Sequence, residues 1–433
     1  MKKKNQQSNK YNFILYIFIF VLLIFLLLSI SFKNESQIDL YPTNAEEIAN
    51  YGESVNSNNQ ASSSPLSINL ESEDEGVKPK NIKYVKTPDQ VKAIYMTACV
   101  ASTRNFRQDL VDLIDETEIN SIIIDIKDYT GTISFDSGLA GDDGDGCRAN
   151  DMAEFIATLH DKGIYTIGRV TVFQDPYYAS LHPELAVQKE SDGSIWSDYK
   201  GIHFIEVGAK KYWDYILDIA KKSHEIGFDE INFDYVRFPS DGNMKDIYFP
   251  FSNDIIESDS DLGKAIALEE FFKYLYQEIE KYNESQSSPL ITSADLFGMV
   301  TTNNDDLNIG QVLERALPYF DYIAPMVYPS HYPTGFNGWH DPNTVAYDLI
   351  KFVMTGGVEK VENLINATST PTEIKERVHK NQLRPWLQDF DYGGNYGPKE
   401  VRDQIQATYD AGLDSWMLWA PSNRYTKAAL ESN

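Results

Sequence analysis

From about residue 86 the chain alternates between two hydrophobic periods. Short runs place apolar residues at every second position, the period of a strand. Longer stretches between them repeat every three to four residues, the period of an amphipathic helix. The strand-like runs are VKAIYMT (91–97), SIIIDIKD (121–128), IYTIGRVTVF (164–173), DEINFDYVRF (229–238), LITSADLFG (290–298), DYIAPMVYPS (321–330), QLRPWLQDF (382–390) and DSWMLWAP (414–421). The helix-like stretches include RQDLVDLIDETE, ANDMAEFIATLHDKG, KKYWDYILDIAKKSHEIG, KAIALEEFFKYLYQEIEKY, IGQVLERALPYF and PKEVRDQIQATYDAG. Several end in Gly just ahead of the next strand, as a helix C-terminus does. Strict strand–helix alternation makes a parallel sheet, and eight units predict a closed (β/α)8 TIM barrel over 86–433. The competing α/β fold, an open doubly wound sheet, usually carries a Gly-rich phosphate loop after its first strand; none follows VKAIYMT.

Upstream, the basic start MKKKNQQSNK precedes the uncharged apolar run FILYIFIFVLLIFLLLSISF, residues 13–32. That length spans a bilayer, and the lysines in front of it hold the N-terminus in the cytoplasm. No small-x-small cleavage pattern follows. The expectation is a signal-anchor transmembrane helix within 1–34, so that the protein is a single-pass cell-membrane protein with its domain extracellular. A cleaved secretory signal is the alternative. Residues 35–85, rich in Ser, Asn, Glu and Asp, lack any period and read as a flexible linker.

The formal net charge of −27 would repel a phosphate backbone, so nucleic acid is not an expected partner. The 13% aromatic content is on the high side, as in proteins whose Tyr and Trp line sugar or peptide sites.

In a barrel, inward side chains near the C-terminal ends of the strands form the site, so the apolar phase of each strand sorts its residues. Ile231 and Phe233 take the outer face of the fourth run, leaving Asn232 and Asp234 inside. Ile122, Ile124 and Ile126 do the same in the second, leaving Asp125 and Lys127 inside. The fifth puts Asp295 inside, the sixth Tyr328, the seventh Arg384, Trp386 and Gln388 with Asp389 just beyond, and the eighth Trp419. Asp125, Asp234 and Asp295 therefore converge on one end, ringed by Lys127, Arg384, Tyr328, Trp386 and Trp419. For Asp125 with Lys127 a purely structural pair is the competing reading.

Paired carboxylates beside aromatic platforms suit glycoside hydrolysis: one acid protonates the leaving oxygen and the other attacks the sugar or activates water. Asp234 and Asp295 are the catalytic candidates. Other chemistries lack their residues. No His pair has metal-ligand spacing, there is no G-x-S-x-G elbow, and GDDGDGC, with Asp142, Asp143 and Asp145, lacks the full calcium-loop pattern. No metal or other cofactor is expected.

IIIDIKDYTGTISFDS, GRVTVFQDP, GFDEINFDYVRFPSDG, SADLFG, IAPMVYPSHY, RPWLQDF and DSWMLWAPSNRYT, in that order, resemble a bacterial family of glycosyl-hydrolase-like (β/α)8 domains formerly described only as a domain of unknown function. The resemblance implies a glycosidase-like barrel and distant kinship with α-amylase-type barrels, in which a nucleophilic Asp ends strand four and an acid/base carboxylate ends strand five. Asp234 and Asp295 occupy those places. Two departures stand out: Asn232 replaces an Arg ahead of the nucleophile, and strand five carries Asp instead of Glu. Arg237, past the strand end, is placed to hold Asp234 ionised or to contact substrate, with a loop salt bridge as the alternative. Tyr328 and His331 fall where a sugar subsite would be, and Asp175 either lies near the site or caps the next turn. Cys99 follows the first strand and Cys147 the second, at the same end of neighbouring strands, which predicts a disulfide beside the site. The expected partner is a cell-wall or extracellular polysaccharide. The rival readings are a non-catalytic carbohydrate-binding barrel and a lyase or transglycosylase using the same acids.

Overall fold

The computed structural model describes residues 82–433. Eight parallel strands close into a barrel in sequence order: β1 (Lys92–Met96), β2 (Ser121–Lys127), β3 (Tyr165–Thr171), β4 (Glu230–Asp234), β5 (Ile291–Phe297), β6 (Tyr322–Met326), β7 (Trp386–Gln388) and β8 (Trp416–Trp419). Closure is made by β8 on β1, with Ile94 opposite Leu418. The main helices are α1 (Arg104–Glu116), α2 (Met152–Asp161), α3 (Lys210–Glu225), α4 (Gly263–Asn283), α5 (Leu313–Ala316), α6 (Ala346–Asn366) and α7 (Pro398–Asp410). The predicted spanning helix over 13–32 and nearly all of the linker over 35–85 lie outside the described residues. Among the described residues no helix is long and apolar enough to cross a membrane.

The local causes are visible. Helices α2, α3 and α7 are followed by Gly163, Gly227 and Gly412, all at positive φ, where a Cβ would be strained. IGQVLERALPYF reads as a full helix, but only Leu313–Ala316 forms. Leu317 keeps helical φ/ψ, but Pro318 has no N–H to continue the hydrogen-bond ladder, and the helix stops there.

The strand phases hold on the outer face: Ile122, Ile124, Ile231 and Phe233 are fully buried. The barrel interior is filled by Ala93, Tyr95, Ile123, Tyr165, Ile167, Ala324, Trp386 and Met417. One irregularity changes the picture. The β2–β3 register slips between Asp125 and Lys127, so Asp125 faces Arg169 while Lys127 faces Val170. Val170 belongs to the outward phase with Phe233, and the bulge carries Lys127 with it. Ile126 leans over β3, where a Cβ on Gly168 would come within 1.9 Å of its Cδ1; only Gly allows that approach.

The long connections after β3 and β4 are joined above the barrel by a two-stranded antiparallel ribbon, Gln188–Lys189 with Ile247–Tyr248. Cys99, in the connection after β1, is disulfide-bonded to Cys147, in the connection after β2, with Cα atoms 4.8 Å apart. Asp142 of the GDDGDGC turn accepts from Ser137 N, Ser137 Oγ and Gly138 N, so it organises its own turn.

Candidate active site

The chemistry gathers at the C-terminal ends of β2 to β5 around Arg169, a residue of β3. Its Nη1 donates to Asp125 Oδ1 at 2.7 Å. Its Nε donates to Asp234 Oδ2 at 3.1 Å, and its Nη2 donates to the same oxygen. Asp295 Oδ2 stands 3.8 Å from Nε. All four groups are buried. A guanidinium suits this place because its rigid planar fork can serve several carboxylates at once.

The two catalytic candidates have different surroundings. Asp234, at the end of β4, keeps Arg169 on Oδ2 and receives the backbone N–H of Tyr235 on Oδ1 at 2.5 Å. Tyr235 adopts φ 53°, a conformation unfavourable for a bulky residue, and that turn aims its amide at the carboxylate. Asp295 is only 1% exposed. Burial, reinforced by the neighbouring Asp234 charge, holds its carboxyl well above the ordinary carboxylate range, with Arg169 opposing. Its Oδ1 accepts from Trp386 Nε1 at 2.8 Å and Asn232 Nδ2 at 2.9 Å. Oδ2 faces Arg169 Nε at 3.8 Å.

Asp125 makes the third carboxylate. Burial pushes it up to about 6, with Arg169 opposing. Its Oδ2 accepts from the Tyr95 hydroxyl. Tyr95 stacks on Trp419 with centroids 4.0 Å apart, and Trp386 meets Trp419 edge-on at 5.5 Å. These rings form an aromatic floor beside the acids, and Arg169 lies over Trp419 at 5.3 Å.

Of the residues expected at the site, Asp125, Asp234, Asp295, Trp386 and Trp419 come together. Tyr328 and His331 pack against each other at 5.2 Å in the connection after β6, and burial lowers the His331 imidazole to about 4, so it is neutral at physiological pH. Arg237 lies beyond β4 over the rings of Tyr235 and Phe297; the partner of Asp234 is Arg169 instead.

Four of the expected residues have other partners. Lys127 does not enter the barrel: it pairs with Asp175 at 2.9 Å and donates to Thr171 O and Tyr212 OH. Asp175 also accepts from Tyr178 N, so of its two expected places it takes the helix cap. Arg384 does point inward, but near the start of β4, where it pairs with Glu230 at 2.8 Å. Gln388 is fully buried and accepts from Ser330 N and Oγ. Asp389 accepts from Thr426 N and Oγ1 and fastens the C-terminal segment.

Sequence reasoning overlooked Arg169 and Tyr95. Both occupy inward phases, and Arg169 is a lone cation in an otherwise uncharged strand, which is the signal that could have found it. Among the described residues no group of three or more His, Cys, Asp or Glu is arranged to hold a metal ion.

Two carboxyls in contrasting surroundings beside aromatic faces are the equipment of glycosidic bond cleavage. Residues 93–425 match the family described as "Putative glycosyl hydrolase domain". The chain belongs to this glycosyl hydrolase family. No curated protein matches it in sequence. Among solved structures, the PgaB (BpsB) glycoside hydrolase domain from Bordetella bronchiseptica has 13% identity and a TM-score of 0.55, covering 78% of this chain and 95% of that one. Alpha-L-fucosidase isoenzyme 2 from Paenibacillus thiaminolyticus has 15% identity and a TM-score of 0.51, covering 78% of this chain and 47% of that one. At these identities the likeness concerns the fold. A hypothetical protein from Ruminiclostridium thermocellum ATCC 27405 is 31% identical over 46% of this chain and 96% of its own, with a TM-score of 0.38.

Proposed function

We propose that this family member hydrolyses glycosidic bonds of a cell-wall or extracellular polysaccharide, with Asp295 as general acid and Asp234 as nucleophile or general base. The observation that supports this reading best is the shared Arg169. It brings both carboxylates within 4 Å of one nitrogen, Nε, while burial raises the Asp295 carboxyl well above the ordinary carboxylate range and Arg169 forms an ion pair with Asp234. The Asp295 proton passes to the leaving oxygen as the bond breaks. Asp234 stabilises the positive anomeric carbon, by attack or by activating water on the opposite face. Trp419, backed by Tyr95 and Trp386, supplies the face on which a sugar ring stacks.

In this reading the barrel works outside the cell, tethered through residues 13–32. The length and charge flanks of that segment support the tether. The Cys99–Cys147 disulfide fits an oxidising compartment.

The test is to incubate the protein with purified wall and exopolysaccharide fractions and follow new reducing ends beside Asp234→Asn. Reducing ends from the parent alone support hydrolysis through Asp234. Equal activity in both moves the catalytic carboxyl elsewhere. Binding without cleavage in either favours the non-catalytic barrel.

A further inference from the structure

Arg237 is a buried cation that the mechanism does not use. It is 8% exposed and forms no salt bridge among the described residues. Its Nη1 donates to Phe238 O at 3.1 Å and to Ser240 Oγ at 3.2 Å. Those bonds occupy Nη1, and no protein acceptor among the described residues takes Nε or Nη2. The side-on edge of the guanidinium, the edge that grips a carboxylate with two parallel hydrogen bonds, is therefore free. The head is held flat by two rings, with its carbon 5.0 Å from the Tyr235 centroid and 5.1 Å from that of Phe297.

The placement matters as much as the missing partner. Tyr235 directly follows Asp234, and Phe297 ends β5 two residues after Asp295, in the same inward phase. Arg237 thus stands one layer above the two catalytic candidates, where the next sugar along a bound chain would lie. The neighbouring cation, Arg169, is balanced by Asp125 and Asp234. Arg237 has no such partner: its hydrogen bonds go to Phe238 O and Ser240 Oγ, and no carboxylate among the described residues forms a salt bridge with it. Burying a charge without a counterion is costly, and an arriving anion would remove that cost.

We propose that Arg237 is the specificity residue for a carboxylate-bearing sugar, so that the substrate is an acidic polysaccharide with a uronic-type residue beside the bond cleaved. This rests on the glycosidase reading of the same site. The carboxylate lies along the Nε–Nη2 edge, and the Tyr235 and Phe297 rings fix the plane of the fork.

The test measures binding of D-glucuronate, glucose 6-sulfate and glucose to the full-length protein by calorimetry, beside Arg237→Gln, Arg237→Lys and Asp234→Asn, with each variant's melting temperature checked. The expected result is glucuronate binding about tenfold tighter than glucose. That preference should vanish in Arg237→Gln, shrink in Arg237→Lys, which keeps the charge without the fork, and persist in Asp234→Asn. Equal binding of glucuronate and glucose, no glucuronate binding, or a preference unchanged in Arg237→Gln would overturn the proposal. A preference for the sulfate over the carboxylate would also overturn it. If glucuronate binds as expected but no polysaccharide is cleaved, the hydrolase reading fails and the anion subsite stands. If a neutral polysaccharide is cleaved without any glucuronate preference, the reverse holds.

Discussion

Arg169 is the register partner of Asn232 across the β3–β4 pairing, and from that position it donates through Nε and Nη2 to Asp234, two residues further along β4. The α-amylase-type resemblance places an Arg at position 232, on the nucleophile's own strand. Here a neighbouring strand supplies the guanidinium, and Asn232 turns instead to Asp295. The side chains differ from that pattern, yet an arginine still faces the strand-four carboxylate.

Replacing Arg169 should therefore damage both stability and turnover. Arg169→Met leaves Asp125 and Asp234 buried without a counterion, at a cost of about 3–5 kcal/mol, read by urea unfolding. Arg169→Lys keeps a charge but cannot span two carboxylates. Its kcat on any polysaccharide the parent cleaves should fall by roughly 100-fold, with the fold retained. A Lys variant at full activity would remove Arg169 from the site.

Trp386 reports on Asp295. Trp386→Phe removes an N–H that favours the ionised form of Asp295, so its pKa should rise further. A general acid works while protonated. The alkaline limb of the kcat/KM–pH profile should therefore move to higher pH, and an unmoved limb would argue against Asp295 as the acid.

Glu206 should make stability fall with rising pH. Burial pushes its carboxyl up to about 7 in the folded protein, against about 4.3 for an unperturbed Glu. The folded state then holds the proton over a range where the unfolded state has released it. The contribution is intact below about pH 4 and is lost as pH rises towards 7, at a slope of at most about 1.4 kcal/mol per pH unit. Asp125, pushed up to about 6, adds to the same fall. In melting curves across this range Glu206→Gln should flatten the decline, because Gln resembles the protonated acid; an identical slope in both would exclude Glu206 as a cause.

Lys127→Met tests the bulge. It strands Asp175 in a fully buried place, which should cost about 3–5 kcal/mol in chemical unfolding. At temperatures where the variant stays folded, kcat/KM should match the parent. A selective rise in KM would return Lys127 to the substrate.

Intact-mass analysis with and without reductant should show the Cys99–Cys147 bond, and Cys99→Ser should lower stability by about 2–4 kcal/mol. Two free thiols in the untreated protein would exclude it.

Most of the barrel was legible because parallel strands and their helices impose two clean periods. The inward placement of Asp125, Asp234, Asp295 and Trp386 followed from alternation alone. Lys127 was misplaced because a bulge adds a residue without altering composition, so the alternation continues on paper while the strand turns over. Arg384 shows a different limit. Phase tells which face a residue occupies, not how deep along the barrel it sits, and Arg384 lies two residues closer to the strand start than Trp386. Arg169 stayed hidden because its meaning lies in the partner strand: only the β3–β4 register sets it beside Asp234.

The wiring through Arg169 also bears on how such barrels are found. A pattern search that requires an arginine two places before the nucleophile treats Asn232 as a defect and passes over this chain. A search in space, asking only which guanidinium faces the strand-four carboxylate, would group it with barrels whose arginine sits on that strand. A guanidinium can reach the same carboxylate from either of two adjacent strands, so the contact and not the sequence position is the feature to search for.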